Sequence, residues 1–317
     1  MMKVGLIGSG RIAPFYIQVL QNLGAEIFIA SSLNSQSAKK LASDYNLTFV
    51  DNSYDLVSSN IHFLIVACDT KFAVDYLIAA QKNTKIQRIL VEKPVFISET
   101  ILEASSLTRN NIYVAYNRRF YASVARFKLC LGNIQSKRLI NITAPEKYSQ
   151  HRKFFALESN GVHLIDLVDH LVSGIQTYEI LSRYQDENRY LDLQVKFMGY
   201  RHDAIVHWRF GANLNTTCSF DDDSVTYELK PVERFAKFHH MKIIEASALG
   251  GKVIRNYQPI IDESSIVDDR ALDFKPGFAA MIECFLTSSH VKTQFQSIAG
   301  AKKIFNIMSD IVSHLNQ

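Results

Sequence analysis

Short apolar runs alternate with amphipathic stretches in the first third of the chain. The apolar runs are 4–7, 26–30, 61–67, 89–91 and 112–115. Between them, apolar residues recur at helical spacing in 14–22, 37–45, 72–82 and 99–109. Strands that are apolar at every position are typical of a parallel sheet covered on both faces, and strand–helix alternation builds such a sheet. The pattern therefore predicts an α/β domain with a doubly wound parallel sheet.

The pattern changes after Asn117. A predicted helix at 122–131 leads to a strand at 139–143, and a long amphipathic helix covers 162–172. Strands at hairpin spacing follow at 178–183, 191–197, 204–209, 216–220, 225–229 and 242–246, and helices at 278–288 and 297–315 end the chain. Consecutive strands favour a mainly antiparallel sheet. We predict two domains, 1–118 and 119–317, the second of α+β type with a large open sheet and terminal helices that can pack back on the first.

Composition limits the class of protein. Of the 317 residues, 47% are hydrophobic and 21% charged, and the formal net charge is +4, as in ordinary globular proteins. The sequence has no lysine- and arginine-rich stripe of the kind that binds nucleic acid. No apolar run reaches the roughly 18 residues of a membrane span. The widely spaced cysteines favour free thiols rather than disulfides or zinc. Because no signal-peptide pattern precedes the first strand, we expect a soluble, cytoplasmic protein.

Glycines follow the first apolar run at once. Residues 8–13, Gly-Ser-Gly-Arg-Ile-Ala, have G-x-G-x-x-A spacing between a predicted strand and a predicted helix. The first glycine allows a tight turn, the second lets a pyrophosphate approach the backbone, and the small third residue allows helix–sheet packing. A glycine turn without a nucleotide is the alternative, but the flanking elements favour a Rossmann dinucleotide site. We assign to it Gly8, Ser9, Gly10, Arg11 and Ile12, and also Cys68 and Thr70 after the run 61–67.

The end of the second predicted strand bears on the choice of dinucleotide. An NAD-preferring Rossmann protein usually has Asp or Glu there to bind the ribose 2′-hydroxyl. This strand ends in Ala30, Ser31 and Ser32, and Lys39 and Lys40 follow on the next predicted helix. Without a carboxylate nothing repels a 2′-phosphate, and small hydroxyls can bind it. The pattern favours NADP over NAD, with Ser31 and Ser32 as contacts.

A lysine stands at the end of a later predicted strand. Residues 90–94 read Leu-Val-Glu-Lys-Pro, which places Lys93 at the carboxyl end of a parallel strand, where open α/β sheets bind ligands. A strand-end lysine that merely reaches solvent is the alternative. We assign Glu92, Lys93 and Pro94 to the cofactor site.

Four segments in this order resemble the glucose–fructose oxidoreductase / inositol dehydrogenase / MocA (Gfo/Idh/MocA) family. They are GLIGSGRIA at 5–13, VEKP at 91–94, AYNRRF at 115–120 and GVHLIDL at 161–167. The resemblance spans essentially the whole chain. It implies a nicotinamide oxidoreductase acting on a sugar, a polyol or a nucleotide-linked sugar. It also implies that Lys93 lies beside nicotinamide and substrate, before a cis bond to Pro94.

The same resemblance implies a second catalytic residue, His163, with Asp166 one helical turn later. Histidine is suited to take the alcohol proton during oxidation or to return it during reduction, and a partly desolvated lysine near another cation can relay a proton. Asp166 is expected to orient His163 or Lys93, or to bind substrate. A histidine on an amphipathic helix more often only packs, but the family places this helix start at the nicotinamide.

One position departs from the family pattern D-x-G-x-H-x-x-D. Its first aspartate, four residues before the histidine, is Ser159 here. A serine cannot pair electrostatically with His163, so the expected working pair is Lys93 and His163, with Ser159 and Asn160 as polar substrate contacts. Because of this departure, the possibility that the protein has no catalytic activity stays open.

Two further segments are expected to line the substrate pocket. Asn117 and Arg118 stand at the predicted domain crossover, and Arg152 lies in the basic segment 151–153, whose cations suit a diphosphate. For Arg119, a position in solvent is as consistent with the sequence as a position in the pocket. No metal site is predicted, because neither 239–240 nor 221–223 is expected to place its side chains on one face of a strand.

Three functions remain open on the sequence: a sugar or nucleotide-sugar dehydrogenase, a silent regulatory member that senses dinucleotide or sugar, and a reductase of a non-sugar substrate. We expect a small-molecule substrate and no nucleic-acid or membrane partner. In the family the open sheet usually forms the oligomer interface, which implies a homodimer or homotetramer.

Overall fold

The computed structural model describes residues 1–146, 157–185, 190–223, 225–247, 253–265 and 273–315. Their contacts divide the chain into two compact units. Among the described residues, the first unit contains 1–120, 157–166 and 273–315, and the second contains the others. The division between domains 1–118 and 119–317 stays a prediction.

The strands of the two units, in chain order, are β1 (Lys3–Ile7), β2 (Glu26–Ala30), β3 (Thr48–Phe49), β4 (Phe63–Val66), β5 (Arg88–Val91), β6 (Ile112–Val114), β7 (Leu139–Glu146), β8 (Ile175–Gln185), β9 (Tyr190–Gly199), β10 (Asp203–Phe210), β11 (Thr217–Asp222), β12 (Val225–Leu229), β13 (Phe235–Ser247), β14 (Val253–Ser265) and β15 (Gln296–Ser297). The helices are α1 (Ala13–Asn22), α2 (Gln36–Tyr45), α3 (Ser53–Ser58), α4 (Thr70–Ala80), α5 (Ala122–Gly132), α6 (Val162–Leu171), α7 (Phe278–Thr287), α8 (Val291–Gln294) and α9 (Ile298–Leu315).

The first unit is built on a doubly wound sheet. Its strand order is β15-β6-β5-β4-β1-β2-β3, and β1 to β6 are parallel while β15 is antiparallel to β6. After β1 the chain continues to β2, toward one edge of the sheet, and after β4 it continues to β5, toward the other edge. A crevice for ligands is expected at such a point, between the carboxyl ends of β1 and β4. The Rossmann fold predicted from the apolar runs is confirmed.

The core of this sheet explains why its strands are apolar throughout. On one face, buried side chains of β1, β2, β4 and β5 pack with Tyr16 and Ile17 of α1 and with Met281 and Phe285 of α7. Burying each large apolar side chain contributes about 1.5–3 kcal/mol. The late helix α7 thus belongs to the core of the N-terminal sheet.

The helix predicted for 99–109 is wrong. The structure has only a short 3-10 helix there, Glu103–Ser106. Side-chain hydroxyls compete for the backbone: Thr100 Oγ1 accepts from the amide of Ile97 at 3.2 Å, and Ser105 Oγ donates to the carbonyl of Leu102 at 2.8 Å. Such local bonds offer the chain an alternative to a regular helix.

The second unit is built on a sheet with strand order β14-β13-β12-β11-β7-β10-β9-β8. Only β7 and β10 pair in parallel, so the predicted mainly antiparallel sheet is confirmed. Ala204, Val206 and Trp208 of β10 are buried in alternation with less buried neighbours, as expected for a sheet with one face in a core. The sequence pattern missed β14, an edge strand that carries Pro259, a residue that sheets confine to such strands.

The described helices include none that is long and apolar enough to cross a membrane.

Candidate active site

The glycine turn after β1 is fixed by close backbone contacts. Gly8 has φ +115°, a conformation that favours glycine, and a Cβ there would collide with the carbonyl oxygen of Ala67. Its amide donates to the carbonyl of Ala30 at 2.8 Å. Gly8 therefore ties the end of β1 to β2 and to the segment after β4, as the fingerprint predicts for its first glycine.

Gly10 faces open space. A Cβ added at Gly10 would meet no described atom within 4 Å, whereas Ala13 is fully buried and its amide bonds the carbonyl of Gly10 at 3.1 Å. The start of α1 thus presents backbone amides beside a free volume that larger side chains would fill. This arrangement fits a pyrophosphate. Ser9 and Ile12 are partly buried at this turn, and Arg11 is exposed.

Hydroxyl groups surround the end of β2. Ser9 Oγ lies 2.7 Å from Ser37 Oγ, and Ser53 Oγ donates to the carbonyl of Ser31 at 2.6 Å. Ser31 is partly buried and Ser32 is exposed. These groups could hold the ribose end of a dinucleotide, with either a 2′-hydroxyl or a 2′-phosphate.

The predicted contacts Cys68 and Thr70 follow β4. Thr70 Oγ1 donates to the carbonyl of Pro94 at 2.9 Å and so joins this segment to the one after β5. Burial raises the pKa of the Cys68 thiol to about 12. Cys68 therefore lies beside the glycine turn as a neutral side chain rather than as a nucleophile.

Glu92 connects β5 to α1. Its Oε1 accepts from the hydroxyl of Tyr16 at 2.6 Å, and its Oε2 accepts from the amide of Lys93 at 3.2 Å. Burial raises the pKa of Glu92, while the Tyr16 hydrogen bond and the charges of Lys93 and Lys275 act in the opposite direction. The carboxylate is thus held inside the site by three neighbours.

Lys93 and the start of α6 lie together. The Lys93–Pro94 bond is cis, as the resemblance implied, and Lys93 Nζ donates to the carbonyl of Ser159 at 3.3 Å. Ser159 belongs to the π-helical turn Leu157–Gly161 that leads into α6. Its backbone thus fixes Lys93 near the helix that carries His163. Asn160, in the same turn, is exposed.

His163 is held among cations. Its ring packs edge-on against Tyr116 at 5.8 Å between centroids, and its buried Nδ1 has no hydrogen-bond partner among the described residues. Burial lowers the pKa of His163 well below its usual value, and the charges of Lys93, Arg118 and Lys275 lower it further. The imidazole is therefore neutral at physiological pH, the form that accepts a proton.

Asp166 has a buried cationic partner. Both of its oxygens accept from Arg119, at 2.8 Å from Nε and 2.7 Å from Nη2, and both side chains are buried. The solvated role considered for Arg119 is wrong, since this ion pair removes the guanidinium from water. A substrate contact through Asp166 stays a prediction.

The other predicted contacts fall in different places. Asn117 is buried and its Nδ2 donates to the carbonyl of Pro276 at 3.0 Å, while Arg118 is half-buried. Arg152 lies outside the described residues. The sequence reasoning missed Lys275, whose charge acts on both Glu92 and His163. It stands in a Phe-Lys-Pro-Gly stretch before α7, far along the chain from every motif.

Comparison with known proteins gives a family match for the first third of the chain. Residues 2–110 match the sequence model of the Gfo/Idh/MocA family, described as an oxidoreductase family with an NAD-binding Rossmann fold. No curated protein matches the chain significantly.

Solved structures share the fold over nearly the whole chain. A dehydrogenase from Clostridium difficile is 16% identical with a TM-score of 0.72, covering 99% of both chains. UDP-N-acetylglucosamine 3-dehydrogenase from Acidithiobacillus ferrooxidans is 13% identical with a TM-score of 0.69, covering 98% of this chain and 96% of that one. Myo-inositol dehydrogenase from Lactobacillus casei, in complex with NAD(H) and myo-inositol, is 15% identical with a TM-score of 0.70, covering 98% of this chain and 93% of that one. The family match confirms the resemblance drawn from the sequence over residues 2–110, which match the model of the Gfo/Idh/MocA oxidoreductase family and its NAD-binding Rossmann fold.

Proposed function

We propose that the protein is an NAD(P)-dependent dehydrogenase or reductase of a sugar, a polyol or a nucleotide sugar. The observation that carries this proposal is the pairing of Lys93 with the start of α6, where the carbonyl of Ser159 binds Lys93 Nζ four residues before His163. A fixed ammonium and a neutral imidazole in one unit are the two groups that proton transfer at an alcohol requires. Solved structures of this fold include dehydrogenases of a polyol and of a nucleotide sugar.

The cofactor would lie along the carboxyl ends of β1 and β4. The free volume beside Gly10 would take the pyrophosphate, and the amides at the start of α1 would bind it. When bound, the dinucleotide supplies C4 of its nicotinamide as the hydride acceptor or donor. Ser31 and Ser32 favour NADP, because a hydroxyl-rich strand end accommodates a 2′-phosphate.

The two side chains divide the proton chemistry. In oxidation, the carbinol carbon gives up its hydrogen with both electrons, and the hydroxyl proton passes to neutral His163, so a carbonyl forms. Lys93 donates a hydrogen bond to the same oxygen and offsets the negative charge that develops on it. In reduction His163 returns the proton. General acid–base catalysis of this kind contributes about 10²–10⁴-fold to the rate.

Ser159 supports a second candidate, a silent member that senses dinucleotide or sugar. A serine at this position offers no carboxylate to His163, and its backbone carbonyl, rather than a charged side chain, binds Lys93. Such a protein would bind NAD(P) and a sugar without turnover. The retained Lys93 and His163 argue for the enzyme.

A turnover screen separates the two candidates. Wild-type protein is incubated with NAD or NADP and a panel of polyols, hexoses, UDP-sugars and dTDP-sugars, and in reverse with NAD(P)H and their keto forms, with absorbance at 340 nm as readout. We expect turnover of at least one compound, lost in both Lys93→Ala and His163→Ala while cofactor affinity is kept. The exposed-site variants Lys85→Ala and His290→Ala are matched controls. Binding without turnover across the panel would favour the sensor.

A further inference from the structure

Two segments far apart in sequence bring cations to His163. Tyr116 packs against its ring, and Arg118 follows two residues later. The side-chain Nδ2 of Asn117 donates to the carbonyl of Pro276 at 3.0 Å, which joins this segment to the one that carries Lys275. The charges of Arg118 and Lys275, together with that of Lys93, therefore act on the same imidazole from two segments that are bonded to each other.

Lys275 is fixed in place by aromatic rings. Its Nζ lies 4.9 Å from the ring centroid of Phe278 and 5.4 Å from that of Phe15, and the side chain is half-buried. The ring of Phe278 in turn packs against Tyr16, which bonds Glu92. Aromatic faces attract an ammonium group but carry no net charge to neutralise it.

The positive charge of this cluster exceeds the negative charge that faces it. Glu92 is the acid that acts on Lys275, and its two oxygens already accept hydrogen bonds from Tyr16 and from the amide of Lys93. Within the described ranges, neither Arg118 nor Lys275 has a hydrogen bond or an ion pair from its side-chain nitrogens. Cations that are partly withdrawn from water and outnumber the nearby carboxylates are costly, and a ligand anion relieves that cost.

We propose that Arg118 and Lys275 bind an anionic group of the substrate, a carboxylate or a phosphate, beside His163. This rests on the proposed function and narrows its substrate class to sugar acids or phosphorylated sugars, nucleotide sugars included. The anion would lie beside the reacting carbon, separately from the cofactor pyrophosphate at Gly10.

The test uses small anions and the complex with NADPH. NADPH affinity is measured first. If NADPH does not bind, the proposed function fails, and the anion titration is then run on the free protein. Saturated complex is then titrated with malonate or inorganic phosphate at constant ionic strength set with sodium chloride. The Hε1 resonance of His163, assigned with His163→Gln, is followed against pH at each anion concentration. It reports binding because a nearby anion raises the histidine pKa and moves the titration to higher pH. We expect one of the two anions to bind, and the one that binds identifies the group as carboxylate or phosphate.

Two variants and a control decide the outcome. Lys275→Met and Arg118→Met should each weaken binding of that anion about tenfold or more, the loss expected for a charge-assisted hydrogen bond. Lys3→Met is the matched control, since Lys3 also lies over a phenylalanine ring but at the amino end of β1. It should leave binding unchanged. The proposal is overturned if neither anion shifts the His163 resonance, or if both variants bind the anion as wild type does.

Discussion

Arg119 donates two hydrogen bonds to the carboxylate of Asp166, at 2.8 Å from Nε to Oδ2 and 2.7 Å from Nη2 to Oδ1. Asp166 is fully buried and lies one helical turn after His163. The pair therefore anchors α6, the helix that presents the proposed base, to the segment after β6.

Breaking this pair is expected to be costly. Arg119→Met leaves a buried carboxylate without its partner, and we expect a loss of about 3–5 kcal/mol in the free energy of unfolding. Urea denaturation measures it. The double variant Arg119→Met/Asp166→Leu removes both charges and should recover much of the loss. A single-variant cost near zero would show that the pair does not anchor α6.

The two fingerprint glycines should respond differently to alanine. At Gly8 a Cβ meets the Ala67 carbonyl at positive φ, so Gly8→Ala should lower the free energy of unfolding by about 1–3 kcal/mol. At Gly10 a Cβ meets no described atom, so Gly10→Ala should keep the wild-type Tm. It should nevertheless weaken NADH binding about tenfold or more, since it fills the phosphate volume. Fluorescence titration would refute the cofactor placement if Gly10→Ala bound NADH normally.

The pH dependence of oxidation should reflect His163. Burial and the charges of Lys93, Arg118 and Lys275 lower its pKa well below 6.5, and Glu92 is the acid that acts on Lys93 and Lys275. Neutral His163 is the active base, so kcat/KM should stay level from neutral pH to below 6.5 and fall only at lower pH. Lys275→Met removes one cation and should move this acidic limb to higher pH. An acidic limb above 6.5 in wild type would contradict the assignment.

The same shift has a consequence for stability. In the unfolded chain His163 has its ordinary pKa of about 6.5, whereas in the folded chain its pKa is lower. The unfolded state thus binds more protons as pH falls below 6.5, and His163 makes the fold less stable there. His163→Gln should reduce the loss of unfolding free energy between neutral pH and pH 5, as measured by urea denaturation at each pH.

The cofactor preference tests the reading of Ser31 and Ser32. NADPH should bind more tightly than NADH in a fluorescence titration. Ser32→Asp places a carboxylate at this exposed position, and it should weaken NADPH binding about tenfold while sparing NADH, through repulsion of the 2′-phosphate. Ser289→Asp, another exposed serine, is the matched control. Clearly tighter NADH binding by wild type would reverse the preference.

The sequence predicted those parts that depend on local pattern. Apolar runs located β1, β2, β4, β5 and β6, and the fingerprint located Gly8 at the position where the fold requires positive φ. It missed β14, whose Pro259 and polar residues blur a strand pattern, and it extended a helix through 99–109, where hydroxyl side chains bond the backbone.

The parts of the site that the sequence did not predict depend on packing between elements far apart in the chain. The charge of Lys275 acts on His163 although 112 residues separate them, since α7, which follows Lys275, packs in the core of the first sheet. No local motif indicates that proximity. Arg119 looked like a solvated charge because its partner Asp166 is 47 residues away. Spacing along the chain identifies elements, whereas these two side chains acquire their roles from elements that meet in space.

The most direct test of the central claim follows the transferred hydrogen itself. The carbonyl compound identified by the turnover screen is reduced with NAD(P)H carrying deuterium at both hydrogen positions of nicotinamide C4, and the product is examined by mass spectrometry and NMR. We predict one deuterium on the new carbinol carbon with wild-type protein, and incorporation slowed at least about 10²-fold in both Lys93→Ala and His163→Ala. Product without deuterium, or unchanged rates in both variants, would contradict the account.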